Sequence, residues 1–299
     1  MPAPGILLCL ASAASFGAMA IFGKLAYEQG ATLGTLLALR FLLAAVLFWA
    51  LVAVTGRLRA VRGLARRDAV AGLALGAIGY SAQAGAFFAA LRRLDASLLS
   101  LLLYTFPAMV TVAAIALGRE RASARAAGAL ALASAGLVLV LAGAAGGALD
   151  PLGVGLAIGA AVIYTAYILV SDGAAGRIDP IVLSALVCTG AAFTLTVASA
   201  ALGDLRPGAL SAAGFGWLAA IAVVSTVAAV SLFFAGLARV GPTTASIVST
   251  AEPVTTVVLA FLVFGESLSA VQLAGGALVI GAVFVLSAPV RRRAALATA

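Results

Sequence analysis

Residues 91–120 read LRRLDASLLSLLLYTFPAMVTVAAIALGRE, and residues 237–266 read LARVGPTTASIVSTAEPVTTVVLAFLVFGE. A shift of 146 positions lays Leu91, Arg93, Pro107 and Glu120 on Leu237, Arg239, Pro253 and Glu266 without a gap, and Ser97, Ser100 and Tyr104 on Thr243, Ser246 and Thr250. Small apolar matches carry no weight in an Ala/Leu-rich chain. Arginine, proline and glutamate are rare here, so their shared spacing marks an internal repeat. Each copy holds an apolar run of about twenty residues, long enough to cross the roughly 30 Å hydrocarbon layer as a helix.

Outward from these two stretches, apolar runs fill the 299-residue chain at 5–27, 33–55, 69–91, 96–117, 123–142, 151–171, 180–202, 211–237, 243–264 and 269–288. Pro151, Pro180 and Pro242 and charged residues mark the breaks. Apolar residues make up 64% of the chain and charged residues 9%, against roughly 25% charged in a soluble domain; the mean hydropathy is +1.22. Inside lipid the backbone must satisfy its own hydrogen bonds, so the runs are read as helices. The expected fold is an all-α membrane protein of ten transmembrane helices. Five spans per copy is an odd number, so the second copy starts on the opposite side of the bilayer. Two inverted five-helix repeats, 1–146 and 147–299, are expected to surround a central cavity near the midplane.

Cations set the expected orientation. The even-numbered loops and the tail carry Arg57, Arg59, Arg62, Arg66, Arg67, Arg119, Arg121, Arg125, Arg177, Arg239 and Arg291 to Arg293, while the odd-numbered loops carry Arg92, Arg93 and Arg206. This bias places both termini in the cytoplasm of a bacterial inner membrane. The net charge of +8 then reflects topology and contact with anionic lipid heads, and no nucleic-acid partner is expected.

On a continuous helix Ser97, Ser100, Tyr104, Pro107 and Thr111 form one stripe within roughly an 80° arc. Thr243, Ser246, Thr250 and Pro253 repeat it. Each proline removes a backbone bond and frees the carbonyl of Leu103 or Ser249, which is tolerated at membrane depth where it lines a cavity or finds a hydroxyl. The stripes therefore read as cavity lining, with helix-to-helix hydroxyl contacts as the alternative. Tyr80, Gln83 and Phe87 share one face of span 3, and Tyr164, Tyr167 and Ser171 one face of span 6, offering rings and hydrogen-bond partners to an amphipathic solute; an interfacial aromatic belt is the competing reading.

Three ionisable residues lie within spans. Glu252, near the middle of span 9, is costly there unless protonated, paired or hydrated, and is the candidate for proton coupling. Its angular position, roughly 120° from the Thr243–Ser246–Thr250 stripe on a continuous helix, favours an anchoring role at the proline break. Arg40 and Lys24 are candidates for a substrate carboxylate, against snorkelling or pairing with an acid such as Glu28. The pairs Gly72/Gly76 and Gly155/Gly159 suit close helix approach within one chain. A monomer is expected, with a homodimer as the alternative.

The chain has no histidine, and Cys9 and Cys188 stand far apart, which removes Cys/His zinc sites and Ser/His/Asp triads as templates. No P-loop appears. No enzyme activity, metal or cofactor is expected.

The stretch from Tyr104 to Arg121 and the following Gly/Ala-rich span resemble the C-terminal part of an EamA-type repeat of the drug/metabolite transporter superfamily. Ala251-Glu-Pro-Val-Thr-Thr through Phe264-Gly-Glu-Ser-Leu resembles the same part of a second repeat. Arg40-Phe41 is similar to the span-2 arginine of the family. The first copy departs from the pattern, with Phe106 in place of Glu252 and Arg119 in place of Gly265. Within the superfamily the chain is most similar to the aromatic amino acid exporters of the YddG type. The resemblance implies ten helices around a central cavity and export without ATP hydrolysis in the chain. The expected function is amino acid export by a secondary transporter working by alternating access, and the residues expected around the substrate are Tyr80, Gln83, Tyr104, Tyr164, Ser246 and Thr250, with Arg40 and Glu252 as the charged candidates. A broad drug or metabolite carrier is the first alternative, and a passive pore or lipid-modifying enzyme the second.

Overall fold

The computed structural model describes residues 3–119, 121–144 and 150–287. Glu120, the boundary at 146/147, Arg291 to Arg293, and the side chains of Thr243 and Ser246 lie outside the described residues.

The described chain is helical throughout. Helices α1 (Ala3–Glu28) and α2 (Leu33–Val54) are followed by a short surface turn, α3 (Leu58–Arg62). The third apolar run is α4 (Arg66–Ala74), a π-helical segment Leu75–Tyr80, and α5 (Ser81–Leu91). The fourth is split into α6 (Ala96–Leu103) and α7 (Phe106–Ala116), ahead of α8 (Ala124–Ala144). Next come α9 (Pro151–Ala175), α10 (Pro180–Ala201) and α11 (Ala212–Ala222), which runs through a second π-helical segment, Val223–Ala228, into α12 (Ala229–Ser249). Helices α13 (Ala251–Phe264) and α14 (Ala270–Ser287) complete the bundle. Among the described residues eight continuous segments are long and apolar enough to cross a membrane, and Ala251–Phe264 and Ala270–Leu286 are shorter apolar helices. The protein is a multi-pass membrane protein, and its outward surface agrees: Val46, Val138, Phe193 and Leu262 are 64, 64, 70 and 69% exposed. Such a surface is stable against lipid chains and not against water.

Local chemistry explains the boundaries. Pro151 and Pro180 each occupy the first helical turn, where a missing N–H costs nothing. The preceding Asp150 and Asp179 accept backbone N–H bonds from Leu152 and Gly153, and from Ile181 and Val182. Thr32 and Ser211 cap α2 and α11 in the same way. At Gly241 the backbone leaves helical geometry (φ 76°, ψ 168°), a conformation open to glycine at little steric cost. That break separates the long segment Ala212–Gly241 from the stretch that leads into α13.

Helices related by the 146-residue shift pack against each other head to tail. Along α2 and α10, an added Cβ at Gly34 would meet Ser199, Trp49 Nε1 donates to Thr189 Oγ1 at 2.9 Å, and Arg57 pairs with Asp179 at 3.2 Å; rising numbers on one helix face falling numbers on the other. Along α8 and α14, Arg125 donates to the carbonyls of Val285 and Leu286, Gly136 faces Gly275, and Gly143 faces Gln272 and Ser269. The first helix of each half lies against the other half: Ser12 Oγ on α1 donates to the Ala229 carbonyl at 2.7 Å, while Gly153 and Tyr167 on α9 meet Arg93 and Gly79.

Of the two glycine pairs, Gly72/Gly76 makes the expected close approach. A Cβ on Gly72 would sit 2.9 Å from Leu186, and one on Gly76 only 1.9 Å from the Val187 carbonyl oxygen. Gly155/Gly159 does not: a Cβ on either meets nothing within 4 Å. Helix α9 docks through Gly153 instead and turns Gly155 outward. A glycine motif shows that close approach is allowed, not which face is used.

Candidate functional site

Arg40, Tyr80, Gln83, Tyr164 and Glu252 converge on one internal cavity of ≈110 Å³. Glu252 enters the cavity together with Thr256, one turn further on, while Thr250 is buried outside the lining and Ser246 lies outside the described residues. The angular separation of Glu252 from the hydroxyl stripe stands; the correction is that the acid side of this helix, not the hydroxyl stripe, faces the cavity. In the first copy the turn at Tyr104–Thr105 scatters the stripe. Ser97 turns to Glu266, Ser100 lines the cavity, and the Thr111 hydroxyl returns to the Pro107 carbonyl at 3.1 Å.

Tyr104 closes the second break. Its hydroxyl donates to the Ser249 carbonyl at 2.6 Å and lies 3.3 Å from a Glu252 carboxylate oxygen. The carbonyl freed by Pro253 thus finds the hydroxyl of the other copy. Tyr104→Phe is expected to cost about 1–3 kcal/mol by stranding that acceptor, seen as a drop of several degrees in the melting temperature of detergent-purified protein. In a Pro253→Ala background the cost shrinks, because the restored amide can take up the Ser249 carbonyl.

Aromatic rings form a continuous wall. Phe41 meets Tyr80 edge-on at 5.3 Å, Tyr80 meets Tyr167 at 5.6 Å, Tyr167 stacks on Tyr164 at 6.2 Å, and Phe106 contacts Tyr164 and Tyr104 at 4.7 and 5.7 Å. Phe106 and Glu252, equivalent under the repeat, both line this cavity. Phe88, Phe106 and Thr256 were missed as lining residues. For Phe106 the 146-residue shift held the signal and for Thr256 its place one turn after Glu252, while Phe88 lies off the Tyr80–Gln83–Phe87 face and had none.

Arg40 is 1% exposed, so it does not snorkel, and among the described residues it pairs with no acid. Its guanidinium stacks over Phe41 and Phe88 at 4.8 and 5.2 Å, and Nε donates to Thr226 Oγ1 at 3.3 Å. Thr226 belongs to the π-helical segment of the second half and donates in turn to the Ile221 carbonyl at 2.9 Å. Ser81, just after the first π-helical segment, bonds the Gly76 carbonyl in the same five-residue pattern. Such segments recur at functional sites.

Lys24 is not free for a substrate. It pairs with Glu266 at 2.5 Å and with Asp95 at 3.6 Å, not with Glu28. Glu266 also accepts from the N–H groups of Ala96 and Ser97 and from the Ser97 hydroxyl, so one carboxylate caps α6 and ties α1 to the turn after α13. These residues border a notch of ≈470 Å³ with Arg92 and Glu28 at the surface. Burial raises the Glu266 carboxyl pKa, but the Lys24 bond and the two N–H donors outweigh it and hold it below the ordinary value. A depressed carboxyl contributes stability above its unfolded pKa and loses it as pH falls through the folded one. Lowering the pH from neutral to about 4, near the ordinary glutamate value, should therefore lower the melting temperature of the native protein more than that of Glu266→Gln.

A bundle of antiparallel, repeat-related helices around an aromatic cavity with buried charges is the build of a membrane carrier. A family model described as the EamA-like transporter family matches the chain twice, over residues 3–142 and 151–288. The chain belongs to that family. It is 28% identical over 279 residues to the "Uncharacterized transporter YcbK" of Bacillus subtilis (strain 168), covering 91% of this chain and 89% of that protein. A solved crystal structure of a protein 19% identical to the chain shares the fold, with a TM-score of 0.67, covering 95% of this chain and 96% of the other.

Proposed function

We propose that this transporter exports amino acids, aromatic and other neutral ones, across the bacterial inner membrane by alternating access. In this reading ten spans form two inverted five-helix halves, 1–146 and 147–299, with both termini in the cytoplasm and the transported solute seated between them. What carries it is the head-to-tail packing of α2 on α10 and of α8 on α14 together with a cavity lined from both matched halves, by Arg40, Tyr80 and Gln83 from the first and Tyr164 and Glu252 from the second. At ≈110 Å³ that space holds a few waters and falls short of the roughly 300 Å³ of a small-molecule pocket. Loading a solute therefore requires the halves to part, which is what a carrier does and a standing pore does not.

The test is counterflow in proteoliposomes with a panel of labelled amino acids. Saturable uptake driven by unlabelled aromatic or neutral amino acid inside is the expected result, and silence across the panel overturns the reading. Flux that never saturates would indicate a pore, turnover of vesicle lipid would indicate an enzyme, and strong competition by bulky apolar solutes without an amino acid group would favour a broad drug or metabolite carrier. Glu252 is the residue on which proton coupling would rest. If it does, Glu252→Gln flattens the dependence of transport on pH; an unchanged profile removes it from that role.

A further inference from the structure

We propose that Arg40 and Glu252 read the two charges of an amino acid zwitterion, Arg40 taking the carboxylate and Glu252 the ammonium, while the Phe106–Tyr164 end of the aromatic wall takes the side chain. This rests on the transport reading above and assigns the polar recognition at the same cavity.

Both groups are buried at the cavity, and among the described residues neither lies within ion-pair distance of an opposite charge. A guanidinium carries five N–H donors in a planar fork suited to a carboxylate. At Arg40 the polar neighbours among the described residues are Thr226, the hydroxyl of Tyr80 and the thiol of Cys188, none of them an acid that pairs with it, so its charge is unmatched. Among the described residues the Glu252 carboxylate has one long polar contact, at 3.3 Å to a Tyr104 hydroxyl whose proton goes to the Ser249 carbonyl. An unmatched buried charge is costly, and two of opposite sign beside one small space would lower their energy by pairing. Phe41 and Phe88 lie against the guanidinium, with ring centroids 4.8 and 5.2 Å from it, and Tyr80 stands in the same lining as both charged groups.

A ligand that neutralises both ends carries one negative and one positive group a short distance apart and no net charge. An α-amino acid meets that demand with a carboxylate and an ammonium on one carbon. A dicarboxylate would set an anion against Glu252, an amine would leave Arg40 unmatched, and an uncharged sugar or drug would leave both. The Phe106 and Tyr164 rings, packed edge to face with centroids 4.7 Å apart, both line the cavity and favour an apolar or aromatic side chain beside them.

The test is counterflow of labelled phenylalanine in proteoliposomes, competed with phenylalanine, phenethylamine, which lacks the carboxylate, and 3-phenylpropanoate, which lacks the ammonium. In the wild-type protein phenylalanine should outcompete each analogue by roughly tenfold or more, the scale of one charged contact. Arg40→Gln should erase the advantage over phenethylamine and keep that over 3-phenylpropanoate, with Arg40→Lys intermediate; Glu252→Gln should do the reverse. Equal competition by either analogue in the wild type overturns the zwitterion assignment while leaving amino acid transport standing, and it needs no variant to fold. Absence of phenylalanine counterflow alongside flux of other amino acids removes the aromatic side-chain assignment, and absence of all amino acid flux removes the transport reading with it.

Discussion

Gly190→Leu and Gly76→Leu are each expected to prevent assembly of the bundle. A Cβ on Gly190 would stand 2.0 Å from the Leu73 carbonyl oxygen, and one on Gly76 1.9 Å from that of Val187. The two contacts interlock α10 with α4 and the first π-helical segment, and in each the obstacle is backbone, which cannot rotate aside like a side chain. Overpacking a core with a few methylenes costs about 1–3 kcal/mol when side chains yield; here the helices themselves must separate by more than an ångström. The expected outcome is loss of monodisperse protein on size-exclusion chromatography, and for the milder alanine variants a melting temperature lowered by several degrees. Gly155→Ala and Gly159→Ala are the matched controls. They meet no atom within 4 Å and replace glycine in a helix, so they should leave stability unchanged or raise it by about 0.5–1 kcal/mol. Equal damage at all four positions would mean that α10 does not pack as described.

The second large effect is expected at Lys24 and Glu266. Their ion pair, with Ala96 and Ser97 bound to the same carboxylate, joins α1, α6 and the turn after α13 at one end of the bundle. If the halves must part at that end for a solute to pass, a covalent bridge there stops exchange. In Lys24→Cys with Glu266→Cys, a short bifunctional thiosulfonate should reduce counterflow more than tenfold, a reductant should restore it, and each single variant should be insensitive. Cys9 and Cys188 are buried, so background labelling is low. Full exchange through the bridged protein would show that this end stays closed during transport.

Much of the fold was legible in the residues because each helix records its own limits. Pro151 and Pro180 stand one residue after their capping aspartates, and the apolar runs at 33–55 and 180–202 end within a residue of α2 and α10. The repeat was legible because its rare residues keep their spacing. The site was legible by composition more than by direction. Tyr80, Gln83 and Tyr164 lie on helical stretches whose phase is continuous, so their faces could be read. Glu252 could be set on the side of Thr256 and away from Thr250, but nothing along the chain says whether that side or the hydroxyl stripe meets the cavity. Lys24 shows the other limit. Glu28, four residues on, was the partner visible along the chain, whereas Glu266 lies 242 positions away, and only the packed bundle brings it near.

Phe106 and Glu252 hold the same place in the two matched stretches yet face one hollow with unlike chemistry, and the same shift sets Arg40 against Leu186. A chain made of the first half twice would have cations and no acid in that hollow; the second half twice would crowd two acids together and supply no cation. The twins have therefore become unequal heirs of one ancestor, each holding half of a dipole that neither could assemble from a copy of itself.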